Sequence, residues 1–153
     1  GHDFGAHIFT ETEIFSRYEI LLENYIKTIH IEAKTLYSMV EQQFMPALLH
    51  YTDTLSSSIA EKKAVADLPC TAETALLKDM SAAYESLYTL SEKLAADTAE
   101  AEGLTDNAKA SFFYHDTIIK DMDDIRAVAD KAEVKLPKEF LPYPSYEEML
   151  FYV

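Results

Sequence analysis

Three long stretches of this chain repeat apolar residues at steps of three, four or seven, and none alternates apolar with polar beyond a few residues. Such spacing lines one side of a helix and would scatter over both faces of a strand. The first stretch carries Ile14, Tyr18, Leu21, Leu22, Tyr25, Ile29, Leu36, Met39 and Val40, then Leu48, Tyr51, Leu55 and Ile59. The second carries Leu76, Met80, Ala83, Leu87, Leu90, Leu94 and Ala101, and the third Phe112, His115, Ile119, Met122, Ala129, Ala132 and Leu136. Punctuation falls between them. Thr10-Glu11-Thr12-Glu13 has the form of a capping box, with a carboxylate three residues after a hydroxyl. Asp67 to Cys70 reads as a break, with Thr71 as the next N-cap, and Gly103 as a stop in the left-handed conformation glycine tolerates. Thr105 or Asp106 caps the third helix and Pro137 ends it. Pro46 lacks a donor and collides with the carbonyl of Gln42, so residues 11–66 read as one kinked helix or two in series. The expectation is all-α: an up-down-up bundle of three long helices. Residues 1–9 form a lead, 10–136 the bundle and 137–153 a proline- and aromatic-rich tail of the same domain.

Composition removes several alternatives. With 153 residues the chain can bury one real core, and its three glycines are too few for a collagen-like or turn-dense β chain. A hydrophobic share of 48% is too high for an intrinsically disordered chain. Twenty-seven acidic residues against 13 basic ones give −14, a charge that repels phosphate backbones and anionic lipid. Neither nucleic acid nor a membrane is therefore an expected partner. The single Cys70 cannot form an internal disulfide or a multi-cysteine zinc site, and it fits a reducing compartment. No apolar run approaches the ~18 residues of a membrane span. Gly1 to Phe9 lacks the layout of a signal peptide, and Gly1-His2 reads as a tag remnant. A cytoplasmic location is the expectation.

Searches for reactive constellations return nothing. The chain has no glycine-rich phosphate loop, no nucleophile elbow, no His-Glu-x-x-His and no Cys-x-x-Cys. A di-metal bundle needs Glu-x-x-His pairs, yet Phe4, Lys27, Ala47 and Phe112 stand three residues before His7, His30, His50 and His115. No catalytic, cofactor-binding or metal-binding residue is expected, and His115 reads as a hydrogen-bonded core histidine. Glu32 and Arg126 each fall within an apolar arc about twenty residues into parallel helices, so they are expected to meet and fix register. The first helix has an apolar arc of about 160°, and Ile20 and Ile31 lie outside it, which suggests a second surface. The tail carries Phe140, Tyr143, Tyr146 and Phe151, which should dock on the bundle or on a neighbour. These six residues are the candidate interface.

Longer strings carry a resemblance. Phe15-Ser16-Arg17-Tyr18-Glu19-Ile20, Leu22-Glu23-Asn24-Tyr25 and Lys27-Thr28-Ile29-His30-Ile31-Glu32-Ala33 resemble the segment that follows the catalytic region of type III glutamine synthetases. Met45-Pro46-Ala47, Asp124-Ile125-Arg126-Ala127-Val128-Ala129-Asp130 and the ending from Pro142-Tyr143-Pro144-Ser145-Tyr146 to Leu150-Phe151 are similar to that family's C-terminal region, in the same order. The resemblance runs from about residue 8 to 153. It implies a parent enzyme that joins glutamate and ammonia using ATP with Mg²⁺ or Mn²⁺, as a ring-stacked homo-oligomer. The family's nucleotide, metal and glutamate motifs have no counterpart here, so no catalytic residue carries over. The resemblance implies a non-catalytic C-terminal helical domain whose partners are the catalytic domain and neighbouring subunits. The alternative is a stand-alone helical module that binds a protein or an effector.

Overall fold

The computed structural model describes residues 8–141, and every regular element among them is helical. Thr10 opens the first helix: its Oγ1 accepts the Glu13 N–H at 3.1 Å, while Glu11 and Glu13 place negative charge in the positive first turn. Helix α1 (Glu11–Met39), a π-helical turn (Val40–Phe44) and α2 (Met45–Val65) then form one continuous rod of about 80 Å. Pro46 neither breaks nor ends it. In the widened turn the Met45 N–H reaches back five residues to the Val40 carbonyl. The turn that would set the ring against the Gln42 carbonyl is thereby opened just before the proline.

The return begins at Cys70, which holds a left-handed conformation (φ 48°, ψ 35°) and is buried. Cys70 is the cap residue of α3 (Thr71–Glu102) and gives no side-chain hydrogen bond, so Thr71 is not the expected N-cap but the first helical residue. Gly103 does end α3, but in a right-handed conformation (φ −79°) rather than a left-handed one. Tightened bonds from the Gly103 and Leu104 N–H groups to Glu100 and Ala101 close that end. Asp106 caps α4 (Asn107–Phe113), accepting the Ala108 and Lys109 N–H groups on Oδ1. A second π-helical turn (Tyr114–Ile118) leads into α5 (Ile119–Glu133), and a 3₁₀ turn follows at Lys138–Phe140.

Contacts between the rods give their directions. Lys62 bonds Glu73, and His30 Nε2 lies 3.5 Å from Glu102, so α3 runs back along the first rod. Lys93 bonds Asp121 and Lys135 bonds Asp79, so α5 runs opposite to α3. Asn107 bonds Glu19 and Glu23, and Tyr114 bonds His30, which sets α4 parallel to α1. The core gathers where all three rods overlap: Val40, Phe44 and Leu48 from the first, Leu87 and Leu94 from α3, Ile118, Met122 and Ile125 from the third. Full burial of each such side chain contributes about 1.5–3 kcal/mol before entropy is set against it.

The second apolar stripe is buried or half-buried throughout the described helix. The third is not. Ala110, Tyr114, Ile118, Met122 and Ile125 face inward, while Phe112 and His115 are exposed. A count of 3.6 residues per turn loses phase across the π-helical turn, where one extra residue is accommodated. His115 therefore is not a core histidine; it bonds the adjacent, equally exposed Asp116. In the first stripe Ile14, Tyr18, Leu21 and Met39 are exposed, and Ile29 is the first fully buried residue of α1. The beginning of α1 stands clear of the other two rods.

Candidate functional site

The expected Glu32–Arg126 pair does not form. Both residues are exposed, and Arg126 instead lies 3.6 Å from Asp123, three residues before it. The reason is register. Facing residues of α1 and the α4–α5 rod are 84 to 88 apart in sequence, because α4 starts level with Glu19 and Glu23 rather than with the start of α1. Arg126 thus sits level with about residue 40, roughly 12 Å beyond Glu32 at 1.5 Å per residue.

Ile20 and Ile31 are exposed, as a second surface requires, but they stand alone. They are three turns apart on the side opposite Ile29, among Glu13, Asn24 and Lys27. Phe140 is half-buried against this chain's own α2: its ring centroid lies 4.9 Å from His50 and 5.0 Å from Tyr51. Tyr143, Tyr146 and Phe151 lie outside the described residues.

Among the described residues, three part-buried polar junctions join the rods beside the exposed Lys62–Glu73 and Lys135–Asp79 pairs, and none of the three was singled out from the sequence. In the first, His30 Nδ1 lies 3.0 Å from the Tyr114 hydroxyl, with Glu102 on the other ring nitrogen. Burial and the nearby Glu102 charge push the Tyr114 phenol pKa upward. In the second, Asn107 Nδ2 donates to Glu19 at 2.9 Å and to Glu23 at 3.3 Å. One amide thus ties α4 to two successive turns of α1.

The third is the most buried. Asp121, 2% exposed, accepts from Lys93 Nζ at 2.9 Å, and the same ammonium bonds Asp97 at 2.6 Å. Burial, with the neighbouring Asp97 as a further cause, pushes the Asp121 carboxyl up to about 6. Asp97 is held low by its pairing with the Asp121 carboxyl, which holds the proton more readily, and by Lys93. The Lys93 ammonium is raised by its bonds to both carboxylates. Asp121 Oδ2 and, on α3, Ser91 Oγ are buried without a hydrogen-bond partner. Asp121 was detectable in principle, since it lies one residue before Met122 on the inward side of α5.

Beside the first junction, Glu102 lines a groove of about 410 Å³ between α1 and α3 with Ala33, Tyr37 and Leu94. A groove of about 480 Å³ between α3 and α5 is lined by Met80, Ala83, Val128 and Ala132, and its rim charges Asp79 and Lys135 bond each other at 3.0 Å. Among the described residues no group of three or more His, Cys, Asp or Glu is placed to hold a metal ion. No described helix is long and apolar enough to cross a membrane. Among the described residues, the first turns of α1 leave Ile14, Phe15, Tyr18 and Leu21 all exposed.

Comparison with known proteins gives this helix a context. Residues 4–63 match the family model described as the glutamine synthetase C-terminal domain. A glutamine synthetase of Butyrivibrio fibrisolvens is 43% identical over 145 residues, 94% of this chain and 21% of the relative. A glutamine synthetase of Bacteroides fragilis is 24% identical over 96% of this chain and 21% of its own length. A protein named type-3 glutamine synthetase in Dictyostelium discoideum is 25% identical over 95% of this chain and 20% of its own. The chain thus spans about a fifth of the length of the relatives it matches.

Proposed function

Because residues 4–63 match the glutamine synthetase C-terminal domain model and a glutamine synthetase is 43% identical over most of this chain, we propose that it is the non-catalytic helical domain of a type III glutamine synthetase, serving structure and assembly. The parent enzyme would join glutamate and ammonia at the expense of ATP, with Mg²⁺ or Mn²⁺. The residues that bind those reactants would belong to the other four-fifths of the polypeptide. Partners of this domain are then the catalytic domain and the neighbouring subunits, in the cytoplasm.

One observation carries the reading. Among the described residues, the charged and ring side chains that join the rods bond one another, as in Lys93 with Asp97 and Asp121, or His30 with Tyr114, and only Asp121 Oδ2 and Ser91 Oγ are buried without a partner. A catalytic site needs convergent groups left free to face a substrate. The type III assignment has support from the relative in Dictyostelium discoideum, whose name carries it. The test is to purify the 153-residue chain free of host enzyme and assay glutamine formation and ATP hydrolysis. No turnover is expected with either metal ion, and measurable synthesis would overturn the reading.

A further inference from the structure

The core-facing stripe of α1 does not stop where its covering helices stop. Counted at 100° per residue, Ile14, Phe15, Tyr18 and Leu21 fall on the same side as Leu22, Tyr25, Ile29 and Ala33. From Leu22 onward Leu22, Tyr25, Ile29, Ala33 and Leu36 on that side are buried or half-buried, with only Glu32 and Met39 at its edge exposed, whereas Phe15 is 63% and Leu21 67% exposed. Ile14, Phe15 and Tyr18 therefore carry the same face into solvent for more than one turn beyond Glu19, where Asn107 at the start of α4 is anchored, and Leu21 borders them at the level of that anchor. The face is held ready for a cover: Thr10 caps it, Asn107 anchors Glu19 and Glu23, and the Arg17 guanidinium stacks 4.1 Å from the Phe9 ring.

We propose that this overhanging face of α1 is the seat by which the domain docks on the part of the synthetase polypeptide outside these 153 residues. The matching surface is apolar and rimmed by lysine and arginine. The proposal rests on the functional reading above and deepens it by naming the joint.

Two observations select this occupant. The first is charge. Residues 8–23 carry Glu11, Glu13, Glu19 and Glu23 against Arg17, and Glu100, Glu102 and Asp106 lie at the adjoining ends of α3 and α4. A second copy would press two such acidic ends together, each on a chain of net charge −14. A cationic rim is the complementary one. The second is what lies around the stretch. The family-model match spans residues 4–63 and so includes the whole overhang, while about four-fifths of each relative lies outside the matched region. The polypeptide that must meet an exposed face of this domain is thus present in the relatives at high effective concentration.

The experiment uses the full-length synthetase that carries this segment, with mass photometry reading assembly and glutamine formation reading activity. Phe15→Glu with Leu21→Glu should lower the fully assembled fraction at least tenfold. The milder Phe15→Ala with Leu21→Ala should move it in the same direction. Ile20→Glu with Ile31→Glu, on the opposite face, should leave it unchanged. In the isolated 153-residue chain all three pairs should keep wild-type helical circular dichroism, because the altered side chains are exposed. Retention of full assembly by both Phe15/Leu21 pairs would overturn the proposal, as would equal disruption by the Ile20/Ile31 pair. Micromolar dimerisation of the isolated chain that Leu21→Glu abolishes would also overturn it, assigning the face to a second copy. Each outcome is independent of the turnover assay, so the seat can fail while the non-catalytic reading stands.

Discussion

The two ends of the first rod carry the same kind of apolar stripe and meet opposite fates. Around Val40, Phe44 and Leu48 the stripe disappears beneath α3 and α5; at Ile14, Phe15, Tyr18 and Leu21 it lies in water. Helical spacing states only that a face requires a cover. Whether the cover belongs to the same domain depends on where the other helices begin and end, and those limits are set by Gly103, Asp106 and the 84-to-88-residue offset. The waist supplies stability, and the overhang is a surface awaiting another.

The largest expected effect tests that division directly. Leu87 is fully buried and Leu21 is 67% exposed. Leu87→Ala should lower the unfolding free energy of the isolated chain by about 2–5 kcal/mol through lost burial and a residual cavity. Leu21→Ala should change it by no more than about 0.5 kcal/mol. Urea unfolding followed by circular dichroism measures both. Comparable losses would mean that the overhang folds back onto the domain and that the contrast is wrong.

The next effect sharpens the account of the waist through pH. Asp121 has a pKa near 6 in the fold against about 3.9 for an unfolded aspartate, so between those values the native state binds more protons. The sign follows: its contribution favours the fold at low pH and is lost as pH rises through 4 to 6. Asp97 is shifted the other way, and its contribution fades only as pH falls below the ordinary aspartate range. The urea midpoint of the wild type should therefore drop relative to that of Asp121→Asn between pH 4 and 6, groups that do not contact Asp121 cancelling in the difference. A constant gap across that interval would show that Asp121 does not titrate there.

How much of this was legible in the sequence depends on local chemistry. Three helices were, because their periodicity spans many turns, and so were the Thr10 and Asp106 caps, because a side chain two or three residues from an orphan N–H acts locally. The inward face of α4 was not. Tyr114 and Ile118 displace Phe112 and His115 because a π-helical turn shifts the phase, and nothing in Tyr114-His115-Asp116-Thr117-Ile118 announces one. The failed Glu32–Arg126 pair has the same origin at larger scale. Its premise was that parallel helices start level, whereas the overhang displaces one by several turns. The Lys93–Asp97–Asp121 junction needed knowledge of which faces α3 and α5 present to each other, and that follows from packing rather than spacing.

Smaller effects come from the two caps beside the overhang. Asp106→Ala leaves the Ala108 and Lys109 N–H groups without their carboxylate and should cost about 1 kcal/mol. Since Asn107 is the next residue and anchors Glu19 and Glu23, amide exchange along residues 19–23 should quicken in this variant. Unchanged exchange there would separate the cap from the anchoring of the overhang.

Gly103 gives the smallest effect and an opposite sign. A glycine kept for a left-handed turn resists substitution, but Gly103 sits at φ −79°, ψ −10°, which any L-residue adopts. A Cβ built there would meet the Glu100 carbonyl oxygen at 3.4 Å, an ordinary contact. Gly103→Ala should accordingly stabilise the isolated chain by about 0.4–1 kcal/mol, by removing backbone freedom from the unfolded state. The gain should appear in the global unfolding free energy, with the apolar stripe on α1 unaltered. A loss of 1 kcal/mol or more would place this residue in the left-handed region and tighten the end of α3. The boundary between waist and overhang would then be set by glycine geometry rather than by where α3 runs out of partners.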